Sequence, residues 1–429
     1  ACGALPDLVG AAPEPDGTTP NHHSMNRPAP HRVGHPMPLI LHLSTALGAY
    51  TQAVLAAPLA TDPAFPWHPG AERYDGPPLN QLDVAAEALS RLVTLADGIE
   101  AWQCHPYRRT VVEPPTLWQQ GEVRVLDYGQ CPEATDPAGP IVLVVPSLIN
   151  RAYVLDLMQG NSILRAMASA GLRPLLLDWG TPGAAELRFD MHDYMSGPLS
   201  NALALAHGLG GQPAAVLGYC MGGTMCAGHA LTLGGMRRLV TIGAPWDFTA
   251  GSGTAQALRG VARAYGALRL RQILRGLSQV FGAVPAAVFQ HLFSLVDPIQ
   301  VSRKFQAFQT RAPDSQAATL FTALEDWLAD GVPMSGRAAE TLLIDWHLDN
   351  TPIEGLWPAL PRSASPVPTL VVCGQNDRIA QPDMASGLLT DMPHARALRP
   401  ALGHVGMIVG GQAPDMVWQP VVAFLRESA

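Results

Sequence analysis

The pentapeptide Gly218-Tyr219-Cys220-Met221-Gly222 holds the most reactive arrangement of residues in this 429-residue chain. It joins an apolar run, 214–217, to a helical stretch, 221–233. A strand that turns this sharply into a helix forces unusual dihedrals on the central residue, and only glycine fits two positions to either side. Cys220 is then displayed at a helix N-terminus, where the backbone dipole favours thiolate. The Met221 amide points to the same place and can donate to an oxyanion. The chemistry expected of such a turn is nucleophilic acyl transfer through an acyl-cysteine.

A nucleophilic thiol needs a base, and the base needs an orienting acid. On parallel sheets with such a turn the partners follow in the order nucleophile, acid, histidine. Asp377, in Gly374-Gln375-Asn376-Asp377-Arg378, lies just past the apolar run 367–373 and is the candidate acid. His404, flanked by Gly403 and Gly406 in the loop after the last short strand, is the candidate base. Asp247, beyond the run 238–242, is the alternative acid, and Asp178 is read as holding the turn Trp179-Gly180-Thr181. His229 is expected to be packed in the helix after Cys220, and His394 to be exposed. The run 141–145 leads into Pro146-Ser147-Leu148-Ile149-Asn150, where a second oxyanion amide is expected, assigned to Ile149.

The elements that position these residues are legible from periodicity. Short apolar runs at 141–145, 172–177, 214–217, 238–242 and 367–373 alternate with helical stretches at 162–170, 199–207, 221–233 and 384–389. Continuous apolar strands alternating with helices predict an α/β fold with a mainly parallel, doubly wound sheet. A segment at 121–127 alternates as an edge strand does. Residues 247–360 are helical without a clear strand and predict a cap inserted between two late strands. The domain reading is a disordered tail at 1–36, with Met25 and Met37 as candidate starts, a helical region at 37–115, a core at 116–246 and 361–429, and the cap at 247–360. A helix over 80–103 places Leu82, Val84, Leu89, Leu92, Val93 and Leu95 at helical spacing. The uncharged stretch 37–60 is interrupted by Pro38, His42, Ser44, Thr45, Thr51, Gln52 and Pro58. It is read as an amphipathic helix packed on the core, not as a membrane span, with adhesion to an apolar surface as a further reading.

Composition narrows the function classes. Apolar residues make up 48% and charged residues 14%, enough for a large core and too few charges for a disordered chain. Net charge is −8 and Lys304 is the sole lysine, so a nucleic-acid footprint is not expected. The 6 cysteines show no C-x-x-C pair and no histidine cluster has zinc spacing, so neither a metal nor a disulfide scaffold is expected, and the cysteines suit a reducing cytoplasm.

At these residues the chain resembles the polyhydroxyalkanoate synthases. Val144-Val145-Pro146-Ser147-Leu148-Ile149-Asn150-Arg151, followed by Tyr153-Val154-Leu155-Asp156-Leu157, is similar to the family's Pro-x-x-Ile-Asn and Tyr-x-Leu-Asp-Leu segments. Leu217-Gly218-Tyr219-Cys220-Met221-Gly222-Gly223-Thr224 resembles its cysteine-bearing lipase-like box, and Gly403-His404 its histidine loop. The resemblance implies an α/β-hydrolase fold and a polymerase of 3-hydroxyacyl-CoA thioesters, with polyester as product, working as a homodimer at a granule surface. It assigns the thioester to Cys220, the base to His404, and to Asp377 the activation of either His404 or the incoming hydroxyl. No cofactor is implied, since CoA arrives with the substrate. The chain departs from the family at Arg378, where histidine is usual, at Asp345-Trp346-His347-Leu348-Asp349 in place of a Trp-Asn cap motif, and after His404, where Asn-Pro is missing. Trp346 and His347 are candidates for lining a substrate channel, a packed cap histidine being the simpler reading of His347. Three classes fit: a synthase or related acyltransferase, an esterase, thioesterase or polyester depolymerase with the same triad, and a catalytically silent granule-associated subunit. The cysteine favours transfer, because thiolate exchanges with a CoA thioester at little cost in bond energy.

Overall fold

The computed structural model describes residues 36–60, 62, 76–296, 300–362 and 367–427. The tail expected to be disordered lies outside them, except for Pro36, which opens helix α1 (Pro36–Ala56).

The core is an eight-stranded sheet. Its strands, in chain order, are β1 (Thr116–Gln120), β2 (Val123–Asp127), β3 (Ile141–Val145), β4 (Arg173–Asp178), β5 (Ala215–Tyr219), β6 (Arg238–Ile242), β7 (Thr369–Val372) and β8 (Ala395–Leu398). Across the sheet they run β1-β2-β4-β3-β5-β6-β7-β8. β2 is antiparallel to β1 and to β4, and every other neighbouring pair is parallel. This is the α/β-hydrolase arrangement, and helices flank the sheet. Every residue of β3, β5 and β6 is buried, as continuous Val/Leu/Ile runs demand when both faces are covered. The parallel strands end together, so the loops after β3, β5, β6, β7 and β8 converge on one edge.

The hairpin partner β1 is an addition to the sequence reading. Its sequence, Thr-Leu-Trp-Gln-Gln, is almost wholly exposed at the sheet edge and lacks the alternation by which β2 was recognisable.

Between β6 and β7 the chain leaves the sheet for a series of helices, from Thr254–Tyr265 to the turn Thr341–Trp346, as the strand-free stretch predicts. The N-terminal helices sit against this insert. Helix α2 (Gln81–Cys104), capped by the Asn80 side chain, forms a second apolar cluster with α1 and the insert, made of Ala46, Leu95, Ile99, Trp102, Phe305, Phe308 and Ala318. Gly98 permits the contact: a Cβ there would lie 2.1 Å from the Phe305 carbonyl oxygen. Polar ties reinforce it, from Trp102 Nε1 to Asp326 (3.0 Å), Gln306 Nε2 to the Arg91 carbonyl (2.9 Å) and between the Tyr50 and Ser302 hydroxyls (2.8 Å). One expectation is corrected here. The uncharged N-terminal helix packs on α2 and the insert instead of on the main core. The helix expected over 80–103 is present; of the residues at helical spacing Leu82, Leu89 and Val93 are exposed, and the buried face uses Ala88, Leu95, Gly98, Ile99 and Trp102.

Candidate active site

Cys220 sits at the turn between β5 and the helix Met221–Thr232, with φ 55° and ψ −128°. Its amide donates to the Ile242 carbonyl of β6 (2.9 Å), and its carbonyl accepts from Gly223 and Thr224 (2.9 and 3.2 Å). The glycines are required by close approach. A Cβ on Gly218 would lie 2.4 Å from Gly223 Cα, and one on Gly222 would lie 2.3 Å from the Val145 carbonyl oxygen at the end of β3. Gly223 is a third such position, since its Cβ would lie 2.5 Å from that of Ala244. The strained cysteine is thereby held against three strand ends. Cys220 is the N-cap of this helix and no side chain caps its first turn.

The loops after β7 and β8 are bonded together, Cys373 to Leu398, Gln375 to Pro400 and Asn376 to Leu402 through backbone amides and carbonyls at 2.8 to 3.1 Å. This brings Asp377 and His404 side by side. His404 Nδ1 donates to Asp377 Oδ2 at 2.7 Å, and because a carboxylate only accepts, the proton is on Nδ1. The other oxygen, Asp377 Oδ1, accepts from the Ile379 and Ala380 amides at 2.8 and 2.9 Å. His404 Nε2 is left free of Asp377, and Cys220 is near enough to act electrostatically on the imidazole. Burial by itself would push His404 down, but the Asp377 carboxylate and then the Cys220 sulfur hold it well above the ordinary histidine range. Cys220, His404 and Asp377 are 8%, 8% and 3% exposed, so the group is almost shut off from solvent.

Gly243 makes room for the base and escaped the sequence reading. It follows β6 with φ 55°, and a Cβ there would lie 3.0 Å from His404 Cε1 and Nδ1. A glycine closing an apolar run was the available signal.

Asp247, the alternative acid, is engaged elsewhere. Its Oδ1 accepts from the Thr249 amide (2.9 Å), the Thr249 hydroxyl (2.8 Å) and Asn350 Nδ2 (2.9 Å), while Asn350 Oδ1 accepts from the Phe248 amide (2.8 Å). This clasp joins the entry of the insert to its exit. Asp178 accepts from the Gly180 amide and from Arg124, holding its turn. His229 is buried with Nε2 on the Ser200 hydroxyl (3.0 Å), and His394 is exposed.

The Ile149 amide donates to Ser147 Oγ at 3.3 Å and its carbonyl accepts from Val332 of the insert, so the amide reaches an oxyanion only once Ser147 releases it. Trp346 is fully buried against Phe248 and Trp357, with ring centroids 5.9 and 4.7 Å away, and lines no open channel. His347 is exposed, donates from Nδ1 to the Leu342 carbonyl (2.8 Å) and packs on Phe248, the packed cap histidine of the simpler reading. The insert covers the loop after β3 through Trp327 Nε1 on the Arg151 carbonyl (2.8 Å), Val332 on Ile149, and a bridge between Asn150 and Gly331.

A structural centre in this region was also missed. Asp156 is fully buried, accepts from Tyr128 Oη (3.0 Å) and from Arg165 Nε and Nη2 (2.8 and 3.2 Å), and anchors the chain just beyond the loop after β3.

Comparison with known proteins gives relatives over most of the chain. A poly(3-hydroxyalkanoate) polymerase subunit PhaC from Haloferax mediterranei is 26% identical over 361 residues, 81% of this chain and 70% of that protein. The proteins of the same name from Haloarcula marismortui and Allochromatium vinosum are 28% and 24% identical, over 72% and 74% of this chain and 67% and 90% of theirs. Over most of its length the chain is thus similar to poly(3-hydroxyalkanoate) polymerase subunits. No family model matches it. Among solved structures, a monoacylglycerol lipase from Paleococcus ferrophilus superposes with a TM-score of 0.45 at 14% identity, covering 71% of this chain and 98% of that one. An alpha/beta hydrolase fold protein from Nakamurella multipartita gives 0.42 at 20%, covering 74% and 99%. Among the described residues no helix is long and apolar enough to cross a membrane, and no group of three metal-binding side chains occurs.

Proposed function

We propose that this synthase-like protein is an acyltransferase that takes 3-hydroxyacyl groups from CoA thioesters onto Cys220 and passes them to the hydroxyl of a growing polyester. The observation that carries the reading is a cysteine in the strained elbow beside an imidazole whose Nδ1 is already committed to a buried carboxylate.

In the first half-reaction the proton of Cys220 Sγ is carried on His404 Nε2, as the raised proton affinity of that imidazole favours, and the sulfur attacks the thioester carbonyl. The oxyanion is met by the Met221 amide and, once Ser147 releases it, by the Ile149 amide. The C–S bond to CoA breaks, the leaving thiolate takes the proton back from His404, and the acyl group remains on Cys220. In the second, His404 deprotonates a 3-hydroxyl, whose oxygen displaces Cys220. Because both oxygens of Asp377 are occupied, its role in this scheme is to hold the imidazole, not to activate the hydroxyl.

The same reading takes hydroxyacyl-CoA as substrate partner, polyester as product, and no cofactor beyond the CoA of the substrate. It extends to a granule surface and a homodimer in the cytoplasm. Exposed apolar side chains support contact with an apolar body: Leu47, Leu55 and Leu89 on α1 and α2, and Val261, Leu268 and Val280 on the insert. The test is incubation with 3-hydroxybutyryl-CoA. CoA release with polymer is expected. CoA release with free acid alone assigns the protein to the hydrolases, and absence of a Cys220 adduct marks a silent subunit.

A further inference from the structure

A buried polar group without a partner is uncommon and destabilising, so each one calls for a reason. The Tyr219 hydroxyl is one. Tyr219 is 3% exposed, and no partner for its oxygen occurs among the described residues. It is also the residue immediately before the nucleophile. Its ring lies over the imidazole of His404, centroids 5.2 Å apart and planes 34° from parallel. Burial first, then Cys220 and Asp377, raise its pKa well above the ordinary tyrosine value, so the phenol stays neutral and its O–H is a donor.

Phenylalanine would fill the same space and pack equally on His404 without stranding a hydroxyl. The phenolic oxygen therefore does nothing for the free protein. It becomes useful when an acceptor enters the site. The carbonyl oxygen of an incoming acyl group is provided for by the elbow amide, on the helix side of the sulfur. What remains for Tyr219 is a second oxygen on the same acyl group. An acyl unit oxygenated at C3 carries one three bonds from the thioester carbon, through C1–C2, C2–C3 and C3–O. That oxygen is a hydroxyl in the monomer and an ester oxygen in the polymer, and it accepts a hydrogen bond in both.

We infer that the Tyr219 hydroxyl donates a hydrogen bond to the C3 oxygen of the acyl group held on Cys220, and so selects 3-oxygenated acyl groups over plain ones. The inference rests on the acyl-cysteine reading above and adds to it a specificity residue and the feature of the substrate it recognises.

The test compares 3-hydroxybutyryl with butyryl donors, each as the CoA thioester and as the p-nitrophenyl ester, in the wild type and in Tyr219→Phe. Leaving-group release gives kcat/KM, and mass spectrometry reports the adduct on Cys220. The wild type should prefer the hydroxybutyryl donor, and Tyr219→Phe should lower the hydroxybutyryl-to-butyryl ratio about tenfold, the worth of one buried neutral hydrogen bond. Its melting temperature should be no lower than that of the wild type, which separates lost recognition from lost folding. A second variant, Tyr219→Leu, removes the ring as well and should shift the pH profile governed by His404, which Tyr219→Phe should leave in place. An unchanged ratio in Tyr219→Phe, or a wild type without preference, overturns the inference while the acyl-cysteine stands. Turnover of the esters alone replaces the synthase by a hydrolase, and the ratio still decides on Tyr219. Failure of all four donors to label Cys220 overturns both.

Discussion

Replacing Asp377 by asparagine should stop the chemistry without disturbing the fold, and the bonds of the carboxylate show why. Asp377 Oδ1 accepts two backbone amides, from Ile379 and Ala380, while Oδ2 accepts the His404 Nδ1 proton. Asparagine has one oxygen, and the two amides claim it. Its NH2 then faces His404 Nδ1, which must become an acceptor, so the imidazole proton moves to Nε2, the nitrogen facing Cys220. The base arrives already protonated. Loss of the correct tautomer in such triads lowers turnover by about 10⁴, or roughly 5.5 kcal/mol at 1.36 kcal/mol per decade. Removing the carboxylate also removes what holds His404 up, so its apparent pKa must fall. Alkylation of Cys220 by iodoacetamide reads both effects without any assumption about substrate. The rate, followed by the mass of the Cys220 peptide between pH 5 and 9, should drop at least tenfold at pH 7 in Asp377→Asn, with a changed pH dependence. Wild-type alkylation with the wild-type pH profile would refute the assignment of Asp377. It would not rescue Asp247, which is tied up with Thr249 and Asn350.

Cys220→Ser should keep the fold and the esterase-type geometry but lose transfer from CoA thioesters by orders of magnitude, read as CoA release, because the alkoxide is much harder to form than the thiolate. Glycine-to-alanine changes in the two N-terminal helices should have opposite signs. Gly48→Ala, with open space around it, should stabilise by about 0.5–1 kcal/mol, and Gly98→Ala should destabilise by about 1–3 kcal/mol because its Cβ meets the Phe305 backbone at 2.1 Å; urea midpoints check both. His229 should make the protein acid-sensitive. Burial holds it down to about 4, so the unfolded chain binds the proton first as pH falls below 6.5. Stability is full above 6.5, declines between 6.5 and 4 and is flat below. The loss from pH 7 to 5 is roughly 2 kcal/mol at 1.36 kcal/mol per pH unit. His404, raised instead of lowered, is protonated in both states over that window and contributes its own loss only as pH rises above 6.5. Denaturation at pH 7 and 5 should show the decline in the wild type and a smaller one in His229→Gln.

The elbow that holds Cys220 was legible because its signal is local: two glycines, a cysteine and the change from strand to helix lie within a few residues. Asp377 and His404 were legible for a different reason. Parallel strands deliver their following loops to one edge, so chain order predicts neighbours in space. Where the outcome depends on contacts between distant segments, the sequence was silent or misleading. The spacing of Leu82, Leu89 and Val93 satisfies a helix rule, yet α2 turns Gly98 toward the Phe305 helix, and these three residues face out. β1 carries too little apolar patterning to be seen alone and exists because β2 offers it an edge. The charge centre at Asp156 joins residues as far apart as Tyr128 and Arg165, so the segment 153–157 that contains it did not show its partners.

The burial of Cys220, His404 and Asp377 bears on the fate of the proposed acyl group. The proposed thioester on Cys220 can be lost to water or passed to a hydroxyl, and water is far more abundant. Transfer prevails only where water is kept out and the acceptor is positioned. The cover over the loop after β3 is tied down through Trp327, Gly331 and Val332. The insert that supplies it is braced in turn by Trp102, Gln306 and the Gly98 contact with α2. The N-terminal helices are thus joined to the cover, and loosening them should expose the thioester to water while leaving Cys220, His404 and Asp377 in place. Gly98→Ala is the instrument for that distinction. Its adduct on Cys220 should form at the wild-type rate and decay faster, with more free acid per CoA released. Slower formation, with the decay rate unchanged, would mean that α2 supports the cover only against unfolding and takes no part in excluding water.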